Sequence, residues 1–398
     1  MTKLPLEGII VIDFSTLIAA PLVGSLMADF GAEVIKVELP KVGDPQRGTQ
    51  LGGNGRSTNW IVGSRNKKTI TLDLHKKEGQ DIAKKLCAKA DVVLLNFRPG
   101  VLEKWNLGSE ILHQVNPELI ICLVSGFGQT GSYRQRGGFD RTVSAFAGLT
   151  YTSGYPDLPP VRSGHPLVDY LTGYLGAFAV MMALYNRDAN HNGGEVIDLS
   201  LAEAAFKATG GSLPTYSLTG SIYERCGNRI RFFVPAENFE TKDGKIIAIN
   251  AGTEKLWKLL VKAINREDLL KDKKYKRYSA RIKNQDELYK LIGDWVKEKT
   301  TEEVMGIFEK AGVPCEKVNN IADLASDPHM LEREAVLEFT DPDYGKILIP
   351  GIVPKLKNFP GYVKFLGAKL GEYNQEIYKE FLGLSTEEIR RLEEKEII

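Results

Sequence analysis

A carboxylate stands where a turn meets an apolar helix, at Asp169 in the stretch Gly164–Arg187, GHPLVDYLTGYLGAFAVMMALYNR. The approach Ser163-Gly164-His165-Pro166 is polar and turn-rich, and from Tyr170 the chain stays apolar for about four helical turns. The pattern predicts a largely buried helix with Asp169 in or near its first turn. Free backbone N–H groups there favour an anionic carboxylate. Gly173, Gly176, Ala177 and Ala179 are small and closely spaced, which suits close packing against another backbone. Two readings stay open on local grounds: a helix cap, or a carboxylate held ready to react.

Other segments offer binding chemistry. Asn96-Phe97-Arg98-Pro99-Gly100 follows a strand-like run and opens a helix at Pro99. Free N–H groups and the Arg98 guanidinium suit an anion there, or Arg98 satisfies neighbouring carbonyls. Gly126-Phe127-Gly128-Gln129-Thr130-Gly131 matches a dinucleotide fingerprint and follows a strand. No helix pattern opens in the following Ser132–Gly138, and this is not the first βα turn, so the fingerprint is rejected. The segment reads as a mobile glycine-rich loop whose Arg134 and Arg136 suit an anionic ligand, or as a plain surface loop. Gly52, Gly53 and Gly55 follow no strand. The five histidines lack metal-ligand spacing, and there is neither a Gly-x-Ser-x-Gly elbow nor a P-loop. No metal site and no Ser or Cys nucleophile is expected.

The elements that must position these groups alternate. Gly8–Phe14 reads as a strand buried on both faces, Pro21–Phe30 as a helix closed by Gly31, and Glu33–Glu38 as a second strand, which makes a βαβ unit. Strands at Thr69–Leu74, Asp91–Asn96, Leu119–Ser125 and Glu195–Leu199 continue the rhythm, with helices at Glu78–Ala90, Pro99–Leu107, Ser109–Val115 and from Leu201. The fold class is α/β, a Rossmann-like, doubly wound parallel sheet plus a smaller α+β domain. Ligands of such sheets bind beyond the C-terminal strand ends, so the loops after Phe14, Glu38, Asn96 and Ser125 matter most. Thr209–Pro235 is punctuated by glycine and proline and reads as a linker. Asn238–Asn250 reads as a hairpin turning at Asp243-Gly244, followed by helices near Thr253–Ile264, Asn284–Lys299 and Thr301–Ala311. The lysine-rich run Lys271–Arg277 reads as a solvated connection, with a nucleic-acid patch the weaker reading, Asp323–Pro360 is rich in strands and turns, and Gly371–Ile398 is helical and charged. The expected division is a large domain of residues 1–208 and 326–398, a linker 209–235 and a small domain 236–325.

With 398 residues, two domains or one enlarged domain are expected. A net charge of +1 gives no field for nucleic acid. The four cysteines are scattered without a CxxC pair, which fits free thiols in a reducing compartment. The N-terminal run has no signal-peptide pattern. The apolar stretch Leu171–Tyr185 falls short of the ~20 residues of a membrane span. A soluble, cytoplasmic protein with no membrane partner is expected.

Taken together, these segments resemble the class III CoA transferases, the formyl-CoA transferase and carnitine CoA-transferase family. The resemblance runs over nearly the whole chain. It rests on Ala20-Pro21 with Ala28–Glu38, Gly43-Asp44 with Arg47, Asn66-Lys67-Lys68 with Leu72-Asp73-Leu74, Asn96–Gly100, and Gly126–Gly131 with Asp140. It continues through Asp169 with Gly173, Ile197–Leu201, Asp243-Gly244, and Gly312–Cys315 with Asp327-Pro328. The order and spacing of these pieces are the specific signal.

The resemblance implies that Asp169 is the nucleophile, forming a mixed anhydride with the acyl group of an acyl-CoA and then an aspartyl-CoA thioester. Coenzyme A enters as substrate, with no permanently bound cofactor, and the other partner is a small carboxylic acid. It implies CoA contacts from Leu17, Ile18, Leu72, His75, Asn96, Phe97, Arg98, Lys104, Arg136 and Asp140. Leu39, His75 and Gly137 stand where family members can carry basic residues, with Arg136 a candidate substitute for the last. The polyglycine loop of formyl-CoA transferase is not evident between Thr209 and Asn250, which argues against oxalate. Arg47, Arg65, Arg141 and Arg162 are candidates for a distal carboxylate. An interlocked homodimer is implied as well. The related α-methylacyl-CoA racemases pair the aspartate with a histidine directly before the position of Asp140. Phe139 stands there, so the second acid/base is missing and a transferase is expected over a racemase. An inactive CoA-binding scaffold is the remaining alternative.

Overall fold

The computed structural model describes residues 3–49 and 56–398; Gly52, Gly53 and Gly55 lie outside them. Six strands form one fully parallel sheet: β1 (Ile10–Asp13), β2 (Glu33–Glu38), β3 (Lys67–Thr71), β4 (Val92–Leu95), β5 (Ile120–Ser125) and β6 (Glu195–Ser200). Their order is β3-β2-β1-β4-β5-β6. The order reverses between β1 and β4, which opens a crevice beyond their C-terminal ends.

Strand residues alternate between two cores, the period of two that a sheet covered on both faces requires. Ile12, Ile35, Ile70, Val93 and Ile121 face one side. Val11, Val34, Val92 and Ile120 face the other. The connecting helices are α1 (Ala19–Asp29), α2 (Thr58–Gly63), α3 (Lys77–Cys87), α4 (Val101–Lys104), α5 (Ser109–Val115), α6 (Asp140–Phe146), α7 (Leu167–Asn190) and α8 (Leu201–Lys207). Val23 and Met27 of α1 and Val180 and Leu184 of α7 fill the second core. Ile82 and Leu86 of α3 fill the first, together with Ile377, Tyr378, Ile389 and Leu392 from late in the chain.

The chain divides into two compact units, 1–149, 162–214 and 328–398 in one and 150–161 with 215–327 in the other. Residues 150–161 and most of the expected linker thus belong with the smaller unit. The linker is not loose throughout: it contains α9 (Ser212–Thr219), which straddles the boundary. The smaller unit carries an antiparallel sheet of β7 (Ala236–Glu240), β8 (Ile246–Asn250) and β9 (Cys315–Lys317). Its hairpin turns at Asp243-Gly244, where Gly244 takes φ +71° and the Asp243 carboxylate accepts from the Thr301 amide at 2.8 Å. Trp257, Leu260, Leu288, Ile292 and Phe308 make its core.

Helix α7 differs from expectation in two ways. It runs for 24 residues, long and apolar enough to cross a membrane by length and composition, because Leu167–Tyr170 before the apolar stretch and the polar residues 186–190 after it stay helical. It is also not largely buried. One face packs on α1, while Leu167, Tyr170, Tyr174, Phe178, Met182 and Tyr185 are exposed. The packed face depends on glycine. A Cβ at Gly173 would sit 2.9 Å from the Ala19 carbonyl oxygen and 2.6 Å from Leu22 Cδ2.

Gly173→Ala sets a helix-propensity gain of about 1 kcal/mol against an overpacking cost of about 1–3 kcal/mol. A backbone carbonyl cannot rotate away as a side chain can, so the cost wins. The urea midpoint of the variant is expected to fall; a rise would mean that α1 and α7 separate freely.

Candidate active site

The crevice at the strand-order reversal is built from two loops. The loop after β1, Phe14–Ile18, and the loop after β4, Asn96–Pro99, are tied reciprocally. The Thr16 amide donates to Asn96 Oδ1 at 2.9 Å, and Asn96 Nδ2 donates to the Thr16 carbonyl at 2.8 Å. Leu17 adopts φ +66°, an unfavourable left-handed conformation for a branched side chain. Its amide donates to Asp44 Oδ1 at 3.2 Å.

Two cavities flank these loops. The first, about 240 Å³, is lined by Leu17, Ile18, Asn96, Phe97, Arg98, Arg136, Phe139 and Asp169 among others. The second, about 270 Å³, is lined by Phe14, Val37, Leu39, Leu72, Leu74, His75, Phe97 and Trp105 among others. Thr16 and Phe97 line both. His75 and Phe97 each meet the Trp105 ring edge-on, at centroid distances of 5.1 Å and 5.0 Å. His75 Nδ1 lies 2.9 Å from Asp73 Oδ1. Of Asp169 and the ten CoA contacts read from sequence, Lys104 and Asp140 line neither cavity, and the candidate arginines Arg47, Arg65, Arg141 and Arg162 line neither as well. Lys104 is exposed at the end of α4.

Asp140 has a different place. It begins α6, where the Phe139 amide donates to Thr142 Oγ1 at 3.1 Å. Its carboxylate accepts the Val168 amide at 2.7 Å and the Asp169 amide at 3.3 Å. Asp140 therefore supplies the anion at the start of α7, and Asp169, the third residue of that helix, is not its cap. The expectation that the helix start keeps Asp169 ionised is thus corrected. Burial, and then the neighbouring Asp140 carboxylate, push the Asp169 carboxyl up to about 7. A carboxyl that titrates there can take part in acyl or proton transfer near neutrality. Phe139, at the first cavity's wall, supplies no acid or base.

The glycine-rich loop is held rather than mobile at its ends. The Gly128 amide donates to Ser125 Oγ at 2.9 Å, and the Gln129 amide lies 3.0 Å from both Asp198 oxygens. Gly126 and Gly138 touch so closely that a Cβ on Gly126 would lie 2.7 Å from Gly138 Cα. Arg136 stacks over Tyr133 at 3.5 Å. Arg98 crowds Gly137, where a Cβ would meet its Nη2 at 3.2 Å.

Two candidate arginines are already engaged. Arg47 grips Glu38 with two bonds of 2.7 Å and lies over the Trp60 ring. Arg65 pairs with the buried Asp29 at 2.9 Å and 2.5 Å. Arg141 and Arg162 are exposed, and neither joins an ion pair among the described residues. Sequence reasoning gave Asp198, Lys36, Asp44 and Lys67 only as motif residues, and it missed that Asp13, Lys36, Asp44 and Lys67 are buried charges and that Asp198 holds the glycine-rich loop. The signal for three of these was an ionisable residue inside an apolar strand run, as in VIDF, EVIKVE and NKKTIT.

Residues 6–374 match the family described as CoA-transferase family III. The chain is similar to the succinyl-CoA–D-citramalate CoA-transferase of Chloroflexus aurantiacus, 38% identical over 99% of this chain and 98% of that one. It is 40% identical to the β subunit of succinyl-CoA–L-malate CoA-transferase from the same organism, over 100% of this chain and 99% of that one. It is 32% identical to human succinyl-CoA:glutarate CoA-transferase, over 95% and 86%. The crystal structure of a CAIB/BAIF family protein from Brucella suis superposes with a TM-score of 0.84 at 29% identity, covering 95% of this chain and 100% of that one.

The position of the Asp169 titration has a consequence for stability. A carboxyl raised from ~4 to about 7 favours the fold while protonated. That stability is present below the unfolded value and lost as pH rises through the folded one. Asp169→Asn is expected to lose less stability than the parent between pH 4 and 8 in urea titrations. Parallel pH profiles for the two would sink this. In Asp140→Asn, carbon-13 NMR should place the Asp169 midpoint lower, though still above an ordinary aspartate, because burial is the larger cause.

Proposed function

The chain belongs to CoA-transferase family III, and from that premise we propose that Asp169 carries CoA between two carboxylic acids through covalent intermediates. The observation that carries this reading is the position of the Asp169 carboxyl. It lines the same cavity as Ile18, Asn96 and Arg98 and titrates near neutrality.

Four steps follow from the chemistry. An Asp169 oxygen attacks the donor's thioester carbonyl, the C–S bond breaks, and CoA leaves as thiolate from a mixed anhydride. The thiolate attacks Asp169 Cγ, which releases the donor acid and leaves an aspartyl-CoA thioester. The acceptor carboxylate attacks that thioester and regenerates thiolate and a new anhydride. The thiolate then takes the new acyl group and frees Asp169. Each intermediate keeps the activation of the one before, so no ATP is needed. With its carboxyl raised to about 7, Asp169 is available as the anion that a nucleophile must be near neutral pH. The amides that Asp140 occupies are unavailable to quiet it, and anhydrides demand exclusion of water.

The second cavity suits the adenine ring. Its walls are apolar and aromatic, with the His75, Trp105 and Phe97 rings at one side. Arg98 and Arg136 in the first cavity suit the phosphates, so the ribose–diphosphate segment passes Thr16 and Phe97, the residues common to both cavities, and the pantetheine arm continues toward Asp169. Lys104 and Asp140 are withdrawn from the CoA contacts. The relatives' names favour succinyl-CoA as donor and a short dicarboxylic or hydroxydicarboxylic acid as acceptor. A racemase would need a second acid/base, and Phe139 offers none.

The exposed face of α7 supports a homodimer, interlocked as in the family. Phe178 and Tyr185 are 61% and 69% exposed on a stripe with Tyr174 and Met182. A contiguous apolar stripe of this kind marks an interface in a water-soluble enzyme.

Acyl-CoA with hydroxylamine is expected to convert Asp169 to a hydroxamate, read by mass spectrometry. Asp169→Ala should lower transfer from succinyl-CoA to malate or citramalate by ~10⁴-fold or more. Transfer that survives this substitution rules out the covalent route, and an unreactive parent leaves the scaffold reading. Sedimentation should give a dimer, and Phe178→Glu with Met182→Glu should weaken it or prevent soluble expression. A monomeric parent would overturn the dimer.

A further inference from the structure

The loop between the two cavities is held by charges that have no contact with solvent. Lys67 Nζ donates to Asp13 Oδ2 at 2.9 Å and to the Pro21 carbonyl at 2.6 Å. Lys36 Nζ bonds to the Ser15 carbonyl and lies 3.1 Å from Asp44 Oδ2 and 3.8 Å from Asp13 Oδ1. Lys36, Asp13 and Asp44 side chains are at most 1% exposed. Asp44 Oδ1 accepts the amides of Leu17 and Gln46, at 3.2 Å and 2.8 Å, and its own amide donates to Glu38. Asp44 Oδ2 accepts no hydrogen bond among the described residues; it faces the Lys36 ammonium.

Stability alone does not account for this arrangement. Apolar residues of similar volume commonly do as well as buried ion pairs, because taking charges out of water cancels their attraction. The charges do achieve something directional. Lys36 fixes the Ser15 carbonyl and Asp44 fixes the Leu17 amide, on either side of Thr16. Leu17 needs such a hold, since φ +66° is costly for it.

We propose that Lys36 and Asp44 are positioning residues for the CoA thioester, setting the Ser15–Ile18 loop so that the two cavities stay in register along one bound molecule. The proposal rests on the reading that CoA occupies both cavities. Lys36 lines neither cavity, so its effect passes through Ser15; Asp44 lines the second cavity but not the first, and toward the first it acts through the Leu17 amide.

The test compares Asp44→Ala, which removes the Leu17 acceptor, with Asp44→Asn, which keeps one. CoA affinity is measured by calorimetry, KM and kcat with succinyl-CoA, and melting temperature in parallel. Asp44→Ala is expected to raise Kd and KM about 10-fold with kcat within about 3-fold. Asp44→Asn should recover most of the affinity. Asp29→Asn, which weakens a buried pair outside both cavities, should lower melting temperature without moving KM. Asp44→Ala that melts lower at unchanged KM overturns the proposal, as does an equal rise in KM for Asn and Ala. If Asp44→Ala does not fold, Lys36→Gln carries the test, with KM expected to rise at least about 3-fold; no rise overturns the proposal. A parent protein with no measurable CoA affinity removes the CoA reading itself, a different result from a parent that binds CoA and a variant that binds equally well.

Discussion

Two carboxylates meet at one helix start, and only one receives its protons. Asp140 takes the Val168 and Asp169 amides. Asp169, two residues into the helix, is left half-buried beside that negative charge. Ordinarily a helix N-terminus lowers the cost of an anion. Here the favourable field is already neutralised by the first carboxylate, so the second meets burial and repulsion together. This arrangement requires α7 to be rigidly seated, and Gly173 and Gly176 against α1 provide that seat. It also requires α6 to end its approach at Asp140, which the contact between Gly126 and Gly138 permits by closing the preceding loop tightly.

The same economy governs the other side of the crevice. Asp13 ends β1, Lys36 lies beside it in the register of β2, and Lys67 opens β3, and their side chains meet in one buried layer. Asp13, Lys36 and Lys67 occupy it, and Asp44 supplies the second anion that balances the two lysines. Burial works to raise Asp13, but Lys36 and Lys67 outweigh it and hold the carboxyl below its usual range. A layer of charge inside an otherwise apolar sheet gives the overlying loop fixed partners without any side chain reaching into the cavities.

Much of this was legible from the residues. Alternating apolar runs and glycine stops gave the parallel sheet and placed the crevice at the loops after Phe14 and Asn96. No helix opens between Gly131 and Asp140, the ground on which the dinucleotide fingerprint was rejected. Asp169 stood out because a polar turn runs directly into an apolar helix. Its ionisation was misread, because burial and the Asp140 carboxylate raise it, and Asp140, which takes the helix-start amides, lies 29 positions earlier in the chain and is invisible to local helix rules. The open face of α7 was missed for a related reason: apolar residues all round a helix signal burial, but not whether the cover comes from the same chain. Strand β9 has only three residues, Cys-Glu-Lys, too few for a periodic signal. Lys36 and Lys67 were read as family motif residues and not as buried charges, although a lysine within an apolar run is itself a warning.

The return of the chain to the first unit has a kinetic side. One face of the parallel sheet is covered partly by Ile377, Tyr378, Ile389 and Leu392, and the Asp73 amide is satisfied by the Ile397 carbonyl. On the ribosome, β1 to β5 emerge long before those residues exist. At 5–20 residues per second, the sheet waits on the order of tens of seconds with an apolar face incompletely covered. The larger unit therefore completes its folding only after translation has passed the smaller one, and protection of nascent chains becomes part of how this enzyme is made.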